Sequence, residues 1–160
     1  MTAFVMIIIM MGLIGIDQLT KWWAVQTLAS GHEIKIWEGV LHFTYLENRG
    51  AAWGIFSGKQ IFLIALTAII IIAMLVYLFK MAKTKVDLGY QIAFILIISG
   101  AIGNLIDRVR LNYVIDFIYF KLIDFPIFNV ADILVVCGVF LLMLCIFLEE
   151  KKAPNKEVDK

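Results

Sequence analysis

Three aspartates punctuate one greasy stretch, VIDFIYFKLIDFPIFNVADILVV at residues 114–136. Asp116 is embedded between Ile115 and Phe117. Asp132 follows Asn129 by three residues and opens a long apolar run. Two carboxylates brought together in a low-dielectric site cannot both ionise easily, so one keeps a proton and the other does not. The ionised partner can take a proton from water while the protonated one polarises a carbonyl. Such a pair hydrolyses an amide with no metal and no covalent intermediate. Asn129 and Asp132 taken alone also fit a helix N-cap and a first-turn acid favoured by the helix dipole. Capping does not explain the second carboxylate, Asp116, in an apolar loop.

Two further polar groupings lie inside apolar segments, where ionisable side chains are costly and point to function. In SGAIGNLIDR, residues Gly100, Gly103, Asn104, Asp107 and Arg108 recur at helical spacing and form one stripe. The glycines allow a helix or a substrate to approach closely, and Asn104 and Arg108 offer donors on the same face. A packing seam with a buried polar bridge is the plainer alternative. Asp17 and Lys21 stand at i and i+4, so they share a helix face. They read as a structural ion pair near the interface rather than as reacting groups.

Other chemistries fit less well. His32-Glu33 lacks the second histidine of a zinc HExxH motif, and no metal site is expected. Ser99 has no histidine in any span to activate it. No phosphate- or dinucleotide-binding glycine pattern occurs, and no cofactor is expected. The net charge of +1 leaves no basic patch for nucleic acid. Cys137 and Cys145 are eight residues apart in one helical run. That spacing is too wide for a disulfide.

These side chains must be positioned by membrane helices. The chain is 62% hydrophobic and carries four runs that approach the ~20 residues a bilayer core requires. The expected spans are 4–26, 60–79, 88–108 and 131–148. The first ends in an interfacial Trp22-Trp23 pair, as a retained helix does, rather than in a cleavage site. The expected fold class is an all-α polytopic membrane protein. It has four transmembrane helices and a small extracytoplasmic β-sheet between helices 1 and 2, and residues 1–160 form one integral membrane domain. The sheet is expected within 27–58, where EIKIWEGVLHFTYL alternates around Glu38-Gly39. A second outer loop over 109–130 is expected to dip into the interface, and 151–160 to be a disordered tail. Lys80, Lys83 and Lys85, with Lys151, Lys152, Lys156 and Lys160, place both termini in the cytoplasm by the positive-inside tendency. The polar groups then gather near the outer face. A small proton- or ion-translocating membrane protein is the rival reading, although such a path would place carboxylates at mid-membrane and on both sides.

Five segments in order, DQLTK at 17–21, ENRGAAWG at 47–54, GAIGNLIDR at 100–108, VIDF at 114–117 and FPIFNVAD at 125–132, resemble the bacterial lipoprotein signal peptidases, or signal peptidase II. The likeness covers all four spans. It implies an aspartyl endopeptidase of the cytoplasmic membrane that cleaves prolipoproteins just before a diacylglyceryl-modified cysteine. The family's catalytic pair falls on Asp116 and Asp132. Substrate-binding or dyad-supporting roles fall on Asn48, Gly50, Asn104, Arg108 and Asn129, with Asp17 and Lys21 also supporting. Asp124 has no counterpart in these motifs and reads as a loop acid. The resemblance also implies membrane lipid as a partner and inhibition by globomycin-type cyclic peptides.

Overall fold

The computed structural model describes residues 1–50, 58–83 and 87–152, the last two without their side chains. Residues 51–54 of the second motif, Lys85 and 153–160 of the expected tail therefore lie outside the described residues, whereas Lys151 and Lys152, expected in that tail, belong to the last helix. Four helices dominate: α1 (Ala3–Leu28), α2 (Gln60–Met81), α3 (Leu88–Leu111) and α4 (Val130–Lys152). Each contains a segment long and apolar enough to cross a membrane. A backbone in lipid must satisfy its own hydrogen bonds, which leaves the helix as the available form for these runs. Their outer faces are accordingly greasy, with Ile61 85% and Phe4 72% exposed.

Helix α3 is the central element, packing against α1, α2 and α4. Its contact with α4 is the closest because glycines remove the spacing side chains. A Cβ on Gly100 would come within 2.3 Å of the Ala131 carbonyl oxygen, and one on Gly138 within 2.9 Å of the Ala93 carbonyl. Met6 and Met10 of α1, Ile71 and Leu78 of α2, and Ile95 and Ile98 of α3 form the apolar core at the end away from the sheet.

At the other end lies a three-stranded antiparallel sheet in the order β1 (Ile34–Trp37), β2 (Leu41–Asn48), β3 (Val114–Phe120). The expected hairpin between α1 and α2 is present, turning at Gly39 with φ +74°. The third strand is an addition to that expectation, because it comes from the loop between α3 and α4. Val114 to Phe117 are buried in succession, so the strand lacks the apolar–polar alternation that marks a half-exposed one. The sheet is fixed to α1 by three edge-to-face rings. Trp23 lies 5.6 Å from Phe43 and 6.1 Å from Phe117, and those two lie 6.1 Å apart. His42 is buried under the turn. Its Nε2 accepts from Gly39 N at 3.1 Å and its Nδ1 lies 2.5 Å from Glu33, which makes it a strut of the hairpin.

Candidate active site

Alternation along β3 sends its side chains two ways. Ile115 and Phe117 pack onto Ala24 and Leu28 of α1. Val114 and Asp116 face a cavity of about 480 Å³ that Asp132 also lines. The chain after β3 then folds back on it. Phe128 accepts from Phe117 N and Ile118 N at 3.0 and 2.8 Å, and donates to Ile118 O at 3.0 Å. That return places Asn129, and with it the first turn of α4, beside Asp116.

Asn129 and Asp132 cap α4 reciprocally. Asn129 Oδ1 accepts from Asp132 N, and Asp132 Oδ2 accepts from Asn129 N, each at 3.0 Å. The capping role and a place in the cavity therefore coexist in the same two residues. Asn129 is also the bridge between the carboxylates, since its Nδ2 donates to Asp116 Oδ1 at 2.7 Å. Asn48, at the end of β2, donates to Asp116 Oδ2 at 2.9 Å, and Asn104 of α3 donates to Asp132 Oδ1 at 2.8 Å. Both carboxyl groups are thus held by amides. Burial first, and the charge of Asp132 second, push Asp116 up to about 7, against the opposing hydrogen bonds from Asn48 and Asn129.

Gly50 enters through its backbone: its N–H donates to Asn48 Oδ1 at 3.0 Å and its carbonyl accepts from Arg108 Nη2 at 3.1 Å. Arg108 lines the cavity, and its buried Nε has no acceptor among the described residues. The stripe on α3 therefore divides. Asn104 and Arg108 reach the cavity, whereas Gly100 and Gly103 give close approach to α4 and to the Asp17 carboxylate.

Asp17 and Lys21 lie 3.0 Å apart, yet the pair is part of a larger group. Lys21 Nζ is also 2.8 Å from Asp107 and 2.8 Å from Asn104 Oδ1. Gln18 donates to both Asp17 and Asp107. Asp17 Oδ1 accepts from Ala131 N at 2.9 Å, so α1 supplies a second, remote cap to α4. Asp107 Oδ2 accepts from Ile115 N, next to Asp116. Gln18 and Asp107 are absent from the expected site. Asp107 stood in the α3 stripe beside Arg108, and that periodicity was its only sequence signal. Asp124 is exposed, in a left-handed conformation with φ 49°, and accepts from Tyr119 at 2.5 Å.

A family model described as signal peptidase (SPase) II matches residues 9–148. A lipoprotein signal peptidase of Clostridium tetani is 49% identical over 153 residues, covering 94% of this chain and 96% of the relative. One from Lactococcus lactis is 43% identical over 146 residues, with 91% and 95% covered. A solved structure described as a bacterial membrane enzyme superposes with a TM-score of 0.83 at 37% identity, covering 98% of this chain and 96% of that one. The matched residues 9–148 run from α1 into α4 and include Asp116, Asp132 and the amides that hold them: the chain belongs to the signal peptidase II family of membrane aspartic peptidases.

Proposed function

We propose that residues 1–160 act as one membrane domain that cleaves the signal peptide from prolipoproteins immediately before a diacylglyceryl-modified cysteine, with Asp116 and Asp132 as the catalytic pair. The observation that carries this reading is the meeting of the two carboxyl groups, from β3 and α4, on one cavity with apolar walls. Val135, Val136, Ile133 and Phe128 line it beside the acids, a setting suited to a diacylglyceryl chain next to a polar reacting centre.

Asp132, at the N-terminus of α4 and holding two donated hydrogen bonds, is the ionised base. Asp116 is the protonated partner. Asp132 takes a proton from water as the oxygen attacks the scissile carbonyl carbon, and Asp116 donates a hydrogen bond to the carbonyl oxygen. The tetrahedral intermediate collapses as the C–N bond breaks, and the proton held by Asp132 passes to the leaving amine of the lipidated cysteine. A coupled pair shares its titration, so the roles describe the dominant microstate. Arg108 Nε, without an acceptor among the described residues, supplies a donor for a substrate carbonyl. Asn48, Asn104 and Asn129 hold the two carboxyl groups at their working separation. Asp17 and Lys21 act as a structural ion pair. The sheet then lies on the outer face of the bacterial cytoplasmic membrane, with both termini cytoplasmic. Globomycin-type cyclic peptides would compete for the same cavity.

The test is cleavage of a fluorogenic peptide carrying a diacylglyceryl-cysteine, beside its unlipidated twin, by wild type and Asp116→Asn in detergent. Cleavage of the lipidated peptide alone, lost in the variant, supports both substrate and dyad. Equal cleavage of the two peptides removes the lipid requirement, and wild-type turnover by Asp116→Asn removes that residue from the pair.

A further inference from the structure

The segment that returns from β3 to α4 offers a short open edge of backbone beside Asp116 and Asp132. Phe128 and Ile118 form an antiparallel bridge and exchange both backbone bonds, at 3.0 Å from Phe128 N to Ile118 O and 2.8 Å from Ile118 N to Phe128 O. In such a pair the neighbouring residue turns its N–H and C=O to the opposite edge. Ile127 is that neighbour, and neither its N–H nor its carbonyl has a hydrogen-bond partner among the described residues. The open edge is one residue long, because Pro126 has no N–H and Asn129 N–H is taken by Asp132 Oδ2. The edge of β3 beside the carboxylates is closed by contrast. Ile115 N donates to Asp107 Oδ2 and its carbonyl accepts from Asn129 Nδ2, each at 3.2 Å, and Phe117 N donates to Phe128 O. A peptide therefore cannot add to β3 as a further strand there.

Ile127 also borders two cavities. One is the cavity that holds Asp116 and Asp132, with apolar walls from α4. The other, of about 520 Å³, is rimmed by Glu47, Arg49 and Asp124, all three exposed. The two cavities share Asn48, Phe125, Pro126 and Ile127. We infer that Ile127 N–H and C=O bind the substrate backbone on the mature side of the scissile bond, through one hydrogen bond in each direction, and lead that chain from the apolar cavity into the charged one; the inference rests on the peptidase reading above. On that reading the lipid-bearing cysteine sits in the apolar cavity and its signal peptide stays in the membrane. The mature chain must leave to water, and Ile127 stands where the apolar cavity meets the exposed charged one. An extended backbone passing that point finds an unpaired donor and an unpaired acceptor, which is how a peptide docks on an open strand edge.

The test scans lipidated peptides in which one amide after the cysteine at a time is replaced by an ester, which deletes a single N–H. The first, second and third residues after the cysteine are changed in turn. With wild type, KM should rise about three- to tenfold at one position, the scale of one hydrogen bond, and under about twofold at its neighbours, whose N–H groups point to the opposite edge. kcat should be unchanged. On the enzyme side, Ile127→Pro deletes the N–H, whereas Ile127→Ala trims the side chain and keeps it. That N–H has no partner in the fold, so both variants should melt within a few degrees of wild type. Ile127→Pro should raise KM for the all-amide peptide about three- to tenfold beyond Ile127→Ala. The ester and Ile127→Pro act on one bonded pair, so together they should raise KM by less than the product of their separate effects. A full product would assign the sensitive N–H to another acceptor and overturn the inference. So would equal KM values for Ile127→Pro and Ile127→Ala, or an even rise at all three ester positions. Should Ile127→Pro fail to fold, the ester scan decides: one sensitive position supports the open edge, and none overturns it. Failure of wild type to cleave the all-amide lipidated peptide would overturn the peptidase reading, and with it the inference.

Discussion

Two carboxylate pairs lie within one hydrogen-bonded network, and they differ in what faces them. Asp17 and Asp107 share a cation, Lys21, at 3.0 and 2.8 Å. Asp116 and Asp132 share amides, from Asn48, Asn104 and Asn129, and among the described residues no lysine or arginine forms an ion pair with either. Arg108, the nearest candidate on the stripe, spends its Nη2 on the Gly50 carbonyl. A charge in a low-dielectric setting is tolerable when a counterion sits on it, and it retains a proton more readily when only dipoles do. The first pair, tied to one cation, serves as scaffold. The second, held by amides alone, is the pair proposed above to carry the reaction. Asn104 belongs to both groups, accepting from Lys21 and donating to Asp132, so the scaffold is joined directly to the proposed catalytic pair.

The contrast is broken most sharply at Asp132. Asp132→Asn should lower cleavage of the lipidated peptide by about a thousandfold or more, the scale of losing a general base. The amide can still accept from Asn129 N, so the melting temperature in detergent should stay within a few degrees; a collapse of folding would return Asp132 to a purely structural role.

Next in size is Lys21. Lys21→Met leaves Asp17 and Asp107 buried without their cation, and removal of one member of a buried pair costs roughly 3–5 kcal/mol. Asp17→Ala should cost less, because Lys21 retains Asp107, although α4 loses its remote cap. Denaturant or thermal titration in detergent ranks the two. An Asp17→Ala loss equal to that of Lys21→Met would show that Asp107 contributes nothing.

The third test is a pH dependence with a defined sign. Asp116 is raised from 3.8 to about 7 in the fold, so between these values the folded state binds more protons than the unfolded one. Its contribution to stability is fully present below about pH 4 and falls as pH rises to about 7. Wild type should therefore lose stability relative to Asp116→Asn between pH 5 and pH 8. A constant difference across that range would mean that Asp116 is not held in its protonated form. The smallest effect belongs to Asp124. Asn tolerates its left-handed backbone and still accepts from Tyr119, so Asp124→Asn should retain most activity and its melting temperature.

Much of the membrane architecture was legible in the residue order. Four apolar runs, an alternating segment around Glu38-Gly39 and polar groups confined to the run ends suffice for helices with a small sheet, because hydropathy and backbone periodicity are local properties. The third strand was not legible: Val114 to Phe117 are buried on both faces, and a strand without alternation has no local signature. Asp107 was likewise visible only as a point on a stripe. Its bond to Lys21 joins residues 86 positions apart, and the cap of Ala131 by Asp17 joins residues 114 apart.

The amino-acid sequence by itself determined that this chain is a membrane helix protein with several carboxylates set among apolar residues, because length, hydropathy and helical spacing need no partner. Only the tertiary structure decided which carboxylates a cation neutralises and which it leaves to amides. That outcome depends on where Lys21 of α1, Asn104 of α3 and Asn129 before α4 meet. Contacts between distant helices obey packing and dielectric, not the local order of residues.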